Sequence, residues 1–375
     1  MKFFIFIPAF LCCSLFSKPQ VMNDYAEADR VVLNIPSSKT NSTTDIAAYI
    51  NSHFDTDRKK VRAAYTWVAT NIKYDAAHLH RVILNEDHQE RVTWAMERKK
   101  GVCENFAAIL ADICIKFGVR AYFVEGYTRS EGSVDRTGHA WSAINVDGKW
   151  LLYDPTWDAG FSENGSFVSH TGARYFQVSP AEFIQSHMPF DPMFQFLDYP
   201  LTYEEFSNGF SKAKNNTAYF NYVDSIAEYE RLDPLSKYNN ATIRIEKNGA
   251  ATQMVSTKLK QLKMEKEIIY QDIDADLFNS ALDDYKAAIA DFQTFLNYRN
   301  NQFMPAKPIA QTESMLDAIL EQIADANNKL KDVNLSKATL ALNTGDVEKV
   351  LNDLSEKVKE QQIFLRNYLS TAKEK

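Results

Sequence analysis

Apolar residues along the first half of the chain recur at two different periods, and the change of period marks the elements. Between Asp45 and Tyr74 they step by three and four: Ile46, Tyr49 and Ile50, then Val61, Ala64, Tyr65, Trp67, Val68 and Ile72. That spacing predicts two helices. A short helix follows over Val92 to Lys99, closed by Lys100-Gly101. Val102 to Cys114 then runs into an apolar helix that stops at Phe117-Gly118, a glycine end signal. Next the period shortens. Arg120 to Tyr127, His139 to Val146 and Lys149 to Tyr153 read as strands, the last two joined by Asp147-Gly148, a two-residue hairpin turn.

Beyond residue 215 the pattern becomes one of long amphipathic helices. Phe278, Ala281, Tyr285, Ala288, Phe292 and Phe295 form one stripe. Leu316, Ile319, Ile323, Ala326, Leu330 and Val333 form a second, and Val347, Leu351, Leu354, Val358, Gln361, Leu365 and Tyr368 a third. Met304 to Pro308 and Asn343-Thr344-Gly345 are the expected connectors. Three such stripes predict a helical bundle or coiled coil whose packing accounts for them, able to bind a protein partner or self-associate.

Composition supports the same division. A chain of 375 residues exceeds one hydrophobic core, and its aromatic residues crowd the first 225 positions. Residues 45–205 are expected to form an α+β domain, 206–245 connecting helices and 246–375 the helical bundle. Residues 18–44 are read as an N-terminal linker. A net charge of −7, with no basic stripe among aromatics, argues against a nucleic-acid partner.

Residues 1–17, Lys2 followed by an apolar run from Phe3 to Phe16, have the pattern of an export signal and are too short to span a bilayer. The expectation is a periplasmic or cell-surface protein. Cys12 and Cys13 lie in this run, so two forms are open: cleaved and soluble, or attached to a membrane through an N-terminal lipid. Removal of the signal leaves Cys103 and Cys114. Eleven residues apart on one helix, they stand ~16 Å from each other, too far for a disulfide. A free thiol in an oxidising compartment asks for a reason, and catalysis is one. His78, His80 and His88 read as loop histidines, since no Cys or carboxylate pattern completes a metal site with them.

Cys103 opens its helix, where unsatisfied amides and the helix dipole favour an anion. The hairpin arithmetic locates two further groups. With Asp147 and Gly148 as the turn, Val146 faces Lys149, Trp141 faces Asp154 and His139 faces Thr156. His139 and Asp154 then share a sheet face as diagonal neighbours, ~7–8 Å apart at the backbone. A carboxylate there fixes the imidazole tautomer and leaves the other ring nitrogen to Cys103. Singly, each residue has an ordinary structural reading; together, in this order, they make a nucleophile, a base and its orienter.

The stretches Tyr65 to Asp75, Gly101 to Ala107, Gly138 to Trp141 and Gly148 to Trp157 resemble the transglutaminase-like superfamily core. The run from Arg174 to Pro192, with Ser186-His187-Met188-Pro189, resembles its kyphoscoliosis-peptidase-type branch. The resemblance implies a papain-like α+β core, helices on an antiparallel sheet, with catalytic roles for Cys103, His139 and Asp154. It implies no cofactor, and calcium finds no acidic loop here. Trp141, Trp157 and His187 are the candidate cleft walls. The function expected is a cysteine hydrolase or acyl transferase acting on amide bonds of protein or peptide substrates. The alternative is a non-catalytic scaffold that binds peptides or cell-wall material.

Overall fold

The computed structural model describes residues 25–78, 88–163, 166–169, 171–209, 218–249, 252–333 and 338–373. The expected export signal, and His80, lie outside these. Three helices come first: α1 (Ala26–Leu33), α2 (Thr43–His53) and α3 (Asp57–Asn71). Ser42 caps α2, its hydroxyl accepting from the Asp45 amide at 3.1 Å. Strand β1 (Lys73–Tyr74), helix α4 (His88–Arg98) and strand β2 (Lys100–Gly101) lead into α5 (Cys103–Lys116). Then come β3 (Ala121–Ser130), β4 (Ser133–Val146), β5 (Lys149–Tyr153), α6 (Pro155–Ala159), β6 (Gly160–Glu163) and β7 (Ser166–Ser169). Helix α7 (Pro180–Phe183) and strand β8 (His187–Pro189) follow.

The main sheet is antiparallel, ordered β5-β4-β3-β8. Val146 pairs with Lys149 and Ser142 with Tyr153, the expected register. Both turn residues have positive φ, 52° at Asp147 and 78° at Gly148, as a tight hairpin of this twist demands. Helix α5 is buried along most of its length, with α2, α3 and α4 around it and the β3–β4 face beneath. Trp67, Phe106, Ile109, Ile113 and Ile144 are fully enclosed in this core.

Several expectations need correction. Residues 25–44 of the expected linker 18–44 are no mere linker: Ala28 and Val32, one turn apart on α1, are fully buried in the core, and Asp29 is paired twice by Arg62, at 2.7 and 2.8 Å. The β3–β4 ladder runs past the apolar residues to a turn at Glu131-Gly132. Polar side chains hold that extension, since Asp135 accepts from Thr128 and Ser130 at 2.5 and 2.6 Å.

The remaining helices are α8 (Tyr203–Ser207), α9 (Tyr222–Tyr229), α10 (Pro234–Asn248), α11 (Gln253–Asn300), α12 (Ile309–Asp332) and α13 (Ala338–Lys373). Ile226 of α9 and Ile245 of α10 are buried in the first unit's satellite cores. Two compact units divide between Leu262 and Lys263, a point inside α11. In the second unit the three sequence stripes meet in one core: Phe295, Leu316, Ile319, Ala326, Leu351 and Val358 are almost wholly enclosed. Asn343-Thr344-Gly345 is not a connector, because α13 continues through it. A glycine inside a helix costs ~1 kcal/mol, which a long packed helix absorbs.

Candidate active site

Cys103 is the first residue of α5 and is buried. Its approach is fixed from three sides. Asn105 accepts from the Val102 amide at 2.9 Å and donates to the Arg91 carbonyl at 3.1 Å, tying the helix start to α4. Gly101 lies under Asn105 so closely that a Cβ there would stand 2.5 Å from the Asn105 Cβ, so this position accepts only glycine. Across the sheet, Cys103 packs with Ala107 and Ala140, and Ser142 Oγ donates to the Ala107 carbonyl at 2.9 Å. Two alanines at the crossing let α5 and β4 approach closely. Within the first turn the Asn105 and Phe106 amides donate to the Val102 carbonyl, at 2.9 and 3.2 Å.

His139 lies on β4, two residues before the fully buried Trp141. Its Nε2–H donates to Asp154 Oδ2 at 2.7 Å, leaving Nδ1 to Cys103, whose side chain also hydrogen-bonds the ring. Burial alone would lower the His139 pKa. The charges of Asp154 and Cys103, with the hydrogen bonds to both, outweigh it and push the pKa up to about 10.

Asp154 caps α6 from inside the protein and has no solvent exposure. Its Oδ1 accepts from the amides of Thr156 at 2.9 Å and Trp157 at 3.3 Å. Its Oδ2 accepts from His139 and also from His187 Nε2, at 3.2 Å. Burial works against the charged form, yet His139 and the His187 hydrogen bond hold this carboxyl far below the usual carboxylate range. The loop after Asp154 is anchored by Tyr65, whose hydroxyl lies 2.9 Å from the Asp154 carbonyl and 2.5 Å from Asp158 Oδ2.

A cavity of about 460 Å³ opens over this group, lined among others by Tyr74, Cys103, Arg136, His139, Thr156 and Trp157. Of the expected cleft walls, only Trp157 lines it. Trp141 and His187 are 1% exposed, and α7 covers them: Phe183 stacks on His187 at 3.9 Å and packs on Trp141 at 5.6 Å. Tyr74 was legible only as part of a motif. Burial, then the charges of Cys103 and Asp154, push its phenol up to about 12, so it enters the cleft as a hydrogen-bond donor. Strand β1 sets it there, pairing Tyr74 with Gly101 beside the nucleophile. Thr156 also reaches the cavity, and its buried hydroxyl has no partner among the described residues.

His139, Asp154 and His187 present donor atoms within 4.8 Å of one another. Both nitrogens that face the carboxylate carry hydrogens, so in this arrangement neither offers a lone pair to a metal ion. Of the three histidines expected in a loop, His78 meets Asp75 at 2.8 Å, and His88 is instead the first residue of α4, approaching Asp112 at 4.0 Å.

Residues 44–155 match the model of the transglutaminase-like superfamily. The chain is 30% identical over 164 residues to the kyphoscoliosis peptidase of Homo sapiens, covering 41% of this chain and 24% of that protein. Against the kyphoscoliosis peptidase of Mus musculus it is 29% identical over 163 residues, covering 40% and 24%. The chain thus spans about a quarter of the length of these curated relatives. Among solved structures, the periplasmic domain of TgpA from Pseudomonas aeruginosa aligns at 17% identity with a TM-score of 0.26, over 35% of this chain and 47% of that one.

Proposed function

Starting from a chain that carries a transglutaminase-like domain, we propose that it is an exported thiol enzyme acting on amide bonds of protein or peptide substrates. Cys103 is the nucleophile in this reading, His139 the proton carrier and Asp154 the group that orients it. The observation that carries the reading is the His139 imidazole held between Cys103 and a buried Asp154 at 2.7 Å, opening on a cavity.

The chemistry follows from where the proton sits. At neutral pH His139 holds a proton on the nitrogen facing the sulfur, and that charge stabilises the thiolate. The thiolate attacks the amide carbonyl carbon, and the oxygen takes up the electron pair. In this reading an amide at the start of α5 donates to that oxyanion. As the C–N bond breaks, His139 gives its proton to the leaving amine and a thioester forms on Cys103. Water or an amine then loses a proton to His139 and attacks the thioester, and the thiolate leaves. Export is supported by the Lys2 to Phe16 charge-then-apolar pattern.

The test is incubation with a protein digest and a biotin-linked primary amine, read by mass spectrometry. Cleaved or amine-labelled peptides are expected from the intact protein and from neither Cys103→Ala nor His139→Ala. Activity surviving either change refutes the reading.

A further inference from the structure

The mechanism above uses one of the two histidines that meet Asp154. His187 belongs to β8, the sheet edge opposite β5, and lies outside the residues matched by the family model. It is 1% exposed, stacks on Phe183 at 3.9 Å, and has Trp157 and Trp141 rings at 4.5 and 5.2 Å. An apolar residue would fill that box without desolvating an imidazole, which burial makes costly. Something must offset the cost.

We infer that His187 is a positioning residue of the site: its buried N–H holds the Asp154 carboxylate in the orientation that aims His139 at Cys103. The inference rests on the thiol-enzyme reading and deepens it. The Asp154 carboxylate, 3.2 Å from Nε2, can only accept, so the hydrogen of a neutral ring is on Nε2, and Nδ1 is left as the acceptor facing Ser186 Oγ at 2.7 Å. A carboxylate has about four acceptor positions. Here all are filled, by the amides of Thr156 and Trp157 on Oδ1 and by the two imidazoles on Oδ2. Removing His187 frees a position on the oxygen that orients His139, and the carboxylate can rotate away.

The groups that face His187 are Asp154 after β5, His139 and Asp135 on β4, and Tyr175. Its own protonation is opposed first by burial, which holds its pKa down to about 4 against the pull of Asp154. Through the working range it therefore stays a neutral donor, adding no charge to the site.

The test is iodoacetamide alkylation of Cys103 in the full chain, followed on the Cys103 peptide by mass spectrometry between pH 6 and pH 9. His187→Phe keeps the ring stack and removes the N–H, and is expected to slow alkylation at pH 6 by about tenfold and change the shape of the pH profile. His187→Gln returns an N–H at similar reach and is expected to stay within about threefold of the intact protein. A purely structural role lowers the melting temperature and leaves the pH profile, measured well below melting, unmoved. An unaffected His187→Phe overturns the inference, as do equal losses in both variants. Should His187→Phe fail to fold, His187→Gln decides alone, and a tenfold loss there overturns it. His139→Ala is the control: if it reacts slowly while His187→Phe does not, only the inference falls; if it reacts like the intact protein, the thiol-enzyme reading falls and takes the inference with it.

Discussion

Asp154 carries no solvent exposure, yet four hydrogen-bond donors surround it, which is how a buried charge becomes tolerable. Asp154→Ala would leave two buried imidazoles without their acceptor and is expected to destabilise the protein by about 2–5 kcal/mol, checked by denaturant unfolding at pH 7. The two histidines also predict opposite responses to pH. His187 has a folded pKa lowered to about 4, so the unfolded chain binds its proton more readily. Its contribution is complete above about pH 6.5 and is lost as pH falls toward 4, on the order of 3 kcal/mol. Unfolding free energy measured from pH 7 to pH 4 should fall less steeply in His187→Gln; parallel curves would refute this. His139, raised to about 10, contributes fully below about pH 6.5 and loses its contribution as pH rises through 10.

At the scale of elements, β8 is the piece that brings His187 to the site, and Gly126 on β3 is what admits it. A Cβ at Gly126 would stand 2.2 Å from the Met188 carbonyl oxygen and 2.4 Å from Trp141 Cη2. Gly126→Ala must push β8 off the sheet, and about 3 kcal/mol of lost stability is expected together with slower Cys103 alkylation. This element was not legible in the sequence: three residues ending in proline carry no alternation, and their partner strand is some sixty positions earlier. The β4–β5 hairpin was legible from its turn to Ser142–Tyr153, because Asp147-Gly148 fixes the register; the expected pairing of Trp141 with Asp154 and of His139 with Thr156 does not form, since Asp154 leaves the strand to cap α6. Trp141 was misplaced for a related reason. Alternation puts it on the same sheet face as His139, but only the unforeseen packing of α7 and β8 decides that this part of the face is covered. Helix α1 escaped notice because its buried ridge is short and the Arg62–Asp29 contacts that hold it are long-range.

Over the whole molecule, each of the two units has its own hydrophobic core, and the second was readable from periodicity alone because helical stripes report packing directly. Leu316→Ala empties a fully buried position there and is expected to cost about 2–5 kcal/mol. Hydrogen exchange should quicken in peptides from residues 309–332 and 347–365 and stay unchanged in those from α3 and α5; a spread of the effect into α5 would contradict the assignment of separate cores. No helix among the described residues is long and apolar enough to cross a membrane. The function proposed for the first unit depends on one proton, the one His139 holds beside Cys103. Nuclear magnetic resonance of the full chain labelled with ¹⁵N-histidine measures it directly. The account predicts that His139 is doubly protonated at pH 7, titrates near pH 10, and falls toward the ordinary histidine range in Asp154→Asn. A His139 that is neutral at pH 7 and titrates near 6.5 in the intact protein would contradict it.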